Sequence, residues 1–239
     1  MAVTDTPAFR RWFGNSKVVD SRGEPLVVYH ASRPGTPDFD VFSRARVFDL
    51  GMHFGNYDSA KHFDRLGKPR AFYLRITRPL KLEDPTDWLT TTGSYHQSHY
   101  TPSTIDQLRQ LGVLDKDAYM QLKDAIIENN RRVGGDDEGR FYEASHWVRG
   151  TNRPEHNAWI RMRAVISQRI TSAIARAGYD GVVYDNTWEG GISWIAFDPR
   201  QIKSATDNVG TFDPRDPSVL RGVQGCPPCP PRYVLTRKR

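Results

Sequence analysis

The sequence predicts an α+β protein, and three observations lead there. Short β-forming runs lie toward both ends of the chain, in pairs joined by tight turns, the pattern of hairpins. Helical periodicities lie between them, the longest over residues 154–177, where Trp159, Met162, Ile166, Ile170 and Ile174 recur at steps of three and four. The 239 residues are 38% hydrophobic and 26% charged, proportions that fold rather than stay disordered and that suit one medium-sized domain carrying an insertion.

The elements follow in order. Residues 7–13 form a helical turn with Phe9, Trp12 and Phe13 on one side, stopped by Gly14-Asn15. Residues 17–20 (KVVD) and 25–30 (PLVVYH) are two strands around a turn in which Gly23 can supply a positive φ. Residues 49–55 (DLGMHFG) give a short strand between Gly51 and Gly55, glycines that let a backbone or ligand approach closely. A helix over 57–66 follows, N-capped by Asn56. Residues 71–77 alternate Phe72, Leu74 and Ile76 with Tyr73, Arg75 and Thr77, a half-exposed strand. From 83 to about 150 the texture changes: a Thr/Ser-rich loop, helices over 104–111 and 116–132, then a polar, glycine-bearing loop. This stretch is read as a helical insertion that decorates the core. The long helix ends at Gly178. Residues 179–186 (YDGVVYDN) and 192–197 (ISWIAF) are a terminal strand pair around the turn TWEGG. From 208 the chain is rich in Gly, Pro and Asp and is expected to wander. The domain is therefore placed at 1–217, with 218–239 a proline-rich basic tail expected to be disordered.

Bulk properties narrow the function. No apolar run is long enough to cross a bilayer, and residues 1–13 lack the basic start and apolar core of a secretion signal. The expectation is a cytoplasmic monomer with no membrane partner. A net charge of +6 favours a polyanionic partner, and a diphosphate cofactor or a nucleic acid would both qualify. Cys226 and Cys229 sit together in the tail, a lone CxxC half-motif with no second pair, so no disulfide framework is expected. His96 and His99 stand three apart with no further ligand evident, so no metal site is expected.

The chemistry gathers around the strand ending at His30. Leu26, Val27, Val28 and Tyr29 form a short apolar run that delivers one imidazole at its end, followed by the small residues Ala31 and Ser32. That places a polar side chain beside accessible backbone, a common way to hold a ligand. A strand that merely ends in a histidine is the plainer reading of this segment alone. Two further pieces alter the balance: GMHFG followed by a helix, and the terminal strand pair whose turn carries Glu189.

Together these pieces resemble the ADP-ribosyltransferases, more narrowly the transferase domains of phage and prophage polyvalent proteins. RRWFGNSKVVDSRGEPLVVYHAS, FYLRITRPL, AGYDGVVYDN and FDPRQIKSATDNVGTFDPRDP carry the resemblance across roughly residues 9–217. It implies a split, mostly antiparallel β core with flanking helices, clamping NAD as co-substrate. It assigns His30 to the adenosine-side ribose and the backbone of Ala31 and Ser32 to the nicotinamide amide. The residue that normally stacks on nicotinamide is a tyrosine, and His53 stands in that slot, with Tyr57 as an additional aromatic wall. The catalytic glutamate of the family would begin the strand at Ser193. Glu189, in the turn just before, is the nearest carboxylate and takes the catalytic role, with Asp185 further back.

The resemblance implies a cytoplasmic NAD-dependent mono-ADP-ribosyltransferase, a toxin or effector, modifying a protein or nucleic acid. An NAD glycohydrolase and a non-catalytic module binding NAD or nucleic acid are the alternatives.

Overall fold

The computed structural model of the chain describes residues 2–31, 40–42, 49–63, 69–85, 87–96, 99–132 and 154–220. Ser32 and the tail from residue 221, with Cys226 and Cys229, lie outside those residues.

The chain opens with α1 (Pro7–Phe13), capped by Thr6, whose hydroxyl accepts the Phe9 N–H at 3.2 Å. Its three aromatics turn inward as the spacing predicts and pack with Tyr73 and Phe212. β1 (Val28–His30), β3 (Arg70–Leu74) and β9 (Ile202–Ser204) form an antiparallel sheet in the order β1-β3-β9. β2 (Met52–Phe54), β4 (Pro79–Lys81), β7 (Gly181–Asp185) and β8 (Ile192–Ala196) form a second, in the order β2-β8-β7-β4. Its pairs are antiparallel except β4 with β7, which run parallel. The two sheets meet edge to edge through a bridge between Tyr29 and Gly55, whose N–H groups donate reciprocally to each other's carbonyls at 2.8 and 3.0 Å. The fold is α+β, with a β core split in two.

Side-chain alternation explains the layers. Met52, Phe54, Trp194 and Ala196 leave one face of the second sheet and pack against Val28, Phe72, Leu74 and Ile202 of the first. Val182, Tyr184 and Ile195 leave the other face and meet the helices α3 (Thr104–Gln110), α4 (Lys116–Arg131) and α5 (Pro154–Arg176). Gly51 permits the tight entry to β2: a Cβ there would lie 2.4 Å from the Ala196 carbonyl oxygen.

Several elements differ from the sequence reading. Residues 17–20 make a single bridge, Val19 to Pro25, rather than a full strand. The hairpin is held by two backbone bonds, Leu26 N–H to the Val18 carbonyl and Asp20 N–H to the Glu24 carbonyl, and by its turn, where the Asp20 carboxylate accepts the Arg22 and Glu24 N–H groups at 2.8 and 3.0 Å and Gly23 takes φ +82°. The Thr/Ser-rich stretch contains a hairpin of β5 (Ser94–His96) and β6 (His99–Thr101), in which Tyr95 faces Tyr100 in register. The β-propensity of Tyr and Thr outweighs the loop-like composition there. On α5, Met162 is 37% exposed and Arg163 takes the inward position at 6%. Its guanidinium lies over the Trp159 ring, 5.1 Å from the centroid, and reaches Asp87 at 3.0 Å and Asp49 at 3.7 Å. Residues 208–220 do not wander: Phe212 and Val219 are buried, and Lys203 Nζ donates to the carbonyls of Asp216 and Ser218, both at 2.7 Å.

Candidate active site

The bridge between the sheets brings the ends of β1 and β2 together. His30 Nδ1 lies 2.8 Å from the His53 carbonyl oxygen, and its ring packs edge-on to Phe42 at 5.0 Å and tilted to Phe54 at 5.4 Å. Burial holds the imidazole below its usual pKa of 6.5; the bond to the His53 carbonyl opposes this, and the charges of His53 and Arg70 add to it. The ring is neutral at pH 7.

His53 turns to the opposite face of β2, because its neighbours Met52 and Phe54 fill the space between the sheets. Its Nδ1 lies 3.2 Å from the Tyr184 hydroxyl. Trp88 closes the group edge-on, 5.9 Å from the His53 ring and 4.9 Å from that of Tyr184. Burial again lowers the pKa, against the pull of Asp49 and Asp84. Nε2 of His53 is buried with no hydrogen-bond partner among the described residues, the kind of atom that asks for an explanation. The Tyr184 hydroxyl is pushed up by burial and then by Asp84, Glu189 and Asp49, with the neighbouring Ser193 opposing.

Glu189 stands on a turn held from three directions. Asn186 Oδ1 accepts the Trp188 and Glu189 N–H groups at 3.2 and 2.9 Å. The Gly190 carbonyl accepts from Asn56 Nδ2 at 3.2 Å and Ser59 Oγ at 2.7 Å, both at the start of α2 (Tyr57–Phe63). Thr187 N–H donates to the buried Asp84 carboxylate at 3.2 Å. Gly190 and Gly191 take φ +82° and +83°, which a side chain would resist. The Glu189 carboxylate itself has no hydrogen bond or ion pair among the described residues.

The structure thus brings His30, His53 and the Glu189 turn to one corner of the two sheets. The two imidazoles leave β1 and β2 toward different neighbours, linked by the His53 carbonyl. Ala31 follows His30, half-buried. Tyr57 is 45% exposed and stands edge-on to Tyr29 at 5.3 Å. Ser193 is buried opposite Tyr184 in the β7–β8 register and accepts from Asn186 Nδ2 at 3.3 Å. Asp185 is exposed at the end of β7. His99 is paired with Glu83 at 3.5 Å in the β5–β6 hairpin.

Sequence reasoning did not find Asp84, Trp88, Tyr184 or Asn186. The alternation of β7 signals Tyr184, since Val182 and Tyr184 share the face that His53 joins; nothing in the sequence signals Asp84.

The split, mostly antiparallel β core with flanking helices is consistent with an ADP-ribosyltransferase-type domain. Residues 20–212 match the family described as ADP-ribosyltransferase in polyvalent proteins, and the chain belongs to that family. No curated protein and no solved structure matches the chain.

Proposed function

We propose that this chain is a mono-ADP-ribosyltransferase that cleaves NAD and transfers ADP-ribose to a macromolecular acceptor, protein or nucleic acid. One observation carries the reading: the Glu189 turn is fixed by hydrogen bonds that Asn56 and Ser59 donate to it and that Asp84 and Asn186 accept from it, yet its carboxylate has no partner among the described residues. A rigid backbone under an unpaired charge suits a group that meets its partner only during reaction. The chain's own nitrogens fit a dinucleotide as well: a buried, unpartnered Nε2 on His53 and a second imidazole, His30, whose Nδ1 is committed to the backbone.

Cleaving the ribose–nicotinamide bond needs little proton transfer, because the pyridinium leaves as a neutral molecule. Positive charge builds on the ribose, as in glycoside cleavage. Glu189 stabilises that charge and draws a proton from the acceptor. His30 holds a ribose hydroxyl, Ala31 and Ser32 offer backbone groups to the nicotinamide amide, and Tyr57 walls the mouth. The net charge of +6 suits the diphosphate and a polyanionic acceptor. A phage or prophage effector acting in the host cytoplasm is part of the same proposal.

The test is incubation with NAD labelled in the adenosine half, alone and with a bacterial lysate split into protein and RNA fractions. Label in a macromolecular fraction, with nicotinamide release, supports the reading. Release without transfer makes the protein a glycohydrolase; NAD binding without release makes it a binding module.

A further inference from the structure

The outer face of the helix layer, turned away from the second sheet, has its charges sorted by helix. Residues 156–179, which include most of α5, contain four arginines and no carboxylate. Arg163 turns inward to Asp87 and Asp49. Arg161, Arg169 and Arg176 are exposed, at steps of eight and seven residues that keep them on one side of the helix. None of the three meets a carboxylate among the described residues. On α4, Asp117, Gln121 and Asp124 follow at steps of four and three, a single stripe. Both aspartates are exposed and meet no cation among the described residues. Arg169 Nη2 donates to Gln121 Oε1 at 3.2 Å, so the two stripes form opposite rims of one groove. The groove holds about 400 Å³; the buried Leu114, Leu122 and Ala173 line it, together with Val165, which is 49% exposed.

An acidic rim, a basic rim and apolar surface between them select the occupant. A nucleic acid brings phosphates to the arginines but also to Asp117 and Asp124, and it has nothing for the apolar lining. A uniformly acidic peptide meets the same two aspartates. The surface that fits has base opposite α4, acid opposite α5 and apolar side chains between, and this chain has one. The helices run antiparallel: Gln121 meets Arg169, and further along α4 Asn129 Nδ2 donates to the Trp159 carbonyl at 3.2 Å. Asp124 is therefore level with the stretch between Arg161 and Arg169, and Asp117 with the stretch between Arg169 and Arg176. A two-fold axis along the groove lays each α4 on the partner's α5 and keeps those levels, so every aspartate comes in between two arginines. The two-fold that crosses the helices instead sets acid on acid and base on base, which like charges oppose.

We propose that the α4–α5 face is a self-complementary docking surface for a second copy of this chain, with Asp117 and Asp124 of each protomer against the arginine stripe of the other. The pairing does not depend on NAD chemistry, and it gives a dimer where the sequence alone suggested a monomer. Size sets its strength. α4 has 16 residues, a length of roughly 24 Å, and two helices side by side are about 20 Å across. Each protomer then covers on the order of 500 Å², close to the lower bound for a specific interface. The dimer is weak and reversible, and its exposed ion pairs make it sensitive to salt.

The experiment is sedimentation velocity of the full chain over about 5 to 200 μM, in about 50 mM and about 500 mM salt. The expected result is a concentration-dependent shift from monomer to dimer at low salt, weakened about fivefold or more at high salt. A monomer throughout overturns the proposal and leaves the groove to another partner; a dimer indifferent to salt overturns the charge pairing. Two variants then reverse one rim each: Arg169→Glu with Arg176→Glu, and Asp117→Lys with Asp124→Lys. Each sets like charges across the axis and should weaken self-association about tenfold. All four side chains are exposed, and circular dichroism checks that both variants keep the wild-type fold. Mixed in equal amounts, the two variants have opposite charges in both halves of the interface, and the mixture should dimerise as the wild type does. A mixture that stays monomeric overturns the proposal, as does either variant that self-associates like the wild type. The salt series on the wild-type chain stands whatever the variants do.

Discussion

His30 Nδ1 donates to the His53 carbonyl across 2.8 Å, and this bond ties the end of β1 to β2 at the place where the two sheets meet. A carbonyl oxygen only accepts, so the proton of neutral His30 is on Nδ1 and Nε2 is left with a lone pair. That lone pair is what a ribose hydroxyl can meet. His30→Ala should raise KM for NAD about tenfold while changing kcat less, as expected for a group that binds ground and transition states alike. Steady-state nicotinamide release measures it, and an unchanged KM removes His30 from binding.

Acid should destabilise the fold before any carboxylate is protonated. His30 and His53 both have folded pKa values pushed below 6.5, first by burial. Between those lowered values and 6.5 the unfolded chain binds more protons than the folded one, so stability rises with pH there. The contribution is complete above pH 6.5 and is lost as pH falls through the folded values. Two such groups give a slope of at most about 2.7 kcal/mol per pH unit. Urea unfolding at pH 7.5, 6.0 and 5.0 measures the slope, and His53→Gln should roughly halve it.

Glu189→Gln separates catalysis from folding. The carboxylate has no bond to lose among the described residues, and the turn is held by its backbone. Stability should therefore stay within about 0.5 kcal/mol of wild type. Turnover should fall roughly 10²–10³-fold if Glu189 meets the developing charge. Equal turnover in the two proteins would leave Asp84 as the carboxylate to test, since it lies close enough to act on both His53 and Tyr184.

Arg163 is the buried cation of the helix layer, hydrogen bonded to Asp87 and facing Asp49, the residue just before the β2 entry. Arg163→Met keeps an unbranched apolar stem and removes the charge, including the guanidinium that lies over Trp159. The two carboxylates are 32% and 41% exposed and regain water, so the loss should sit near a single charged hydrogen bond, about 1.5–3 kcal/mol. Chemical denaturation measures it.

What was legible in the sequence follows from the range of each signal. Local periodicity placed α1, α3, α4 and α5 to within about a residue, because helix formation reads neighbours three and four apart. It misjudged Met162 and Arg163 because apolar character was taken as the mark of the inward face, and the buried ion pairs with Asp49 and Asp87 come from residues more than 70 positions away. The corner containing His30, His53 and Glu189 was legible through family resemblance. Its polar support was not: Asp84 approaches Thr187 across 103 positions, and the contact of Tyr184 with His53 spans 131. Strand pairing alone decides such meetings, and pairing is what short strands specify least.

Lys203 shows how the segment that looked irregular is kept in place. It is fully buried in β9, and its Nζ donates to the carbonyls of Asp216 and Ser218. Burial lowers its pKa, with Asp216 and Asp213 opposing. Lys203→Met keeps the volume and removes the bonds from Nζ to the Asp216 and Ser218 carbonyls, at a cost of about 1–3 kcal/mol. The loss is local, because those carbonyls belong to residues 208–220 and the sheet bonds of β9 to β3 are untouched. Limited proteolysis should therefore cut the variant first within 208–220, with the remainder of the domain still protected. Should the variant resist the protease as well as the wild type does, Phe212 in the aromatic cluster and Val219 beside β9 hold the segment without the lysine.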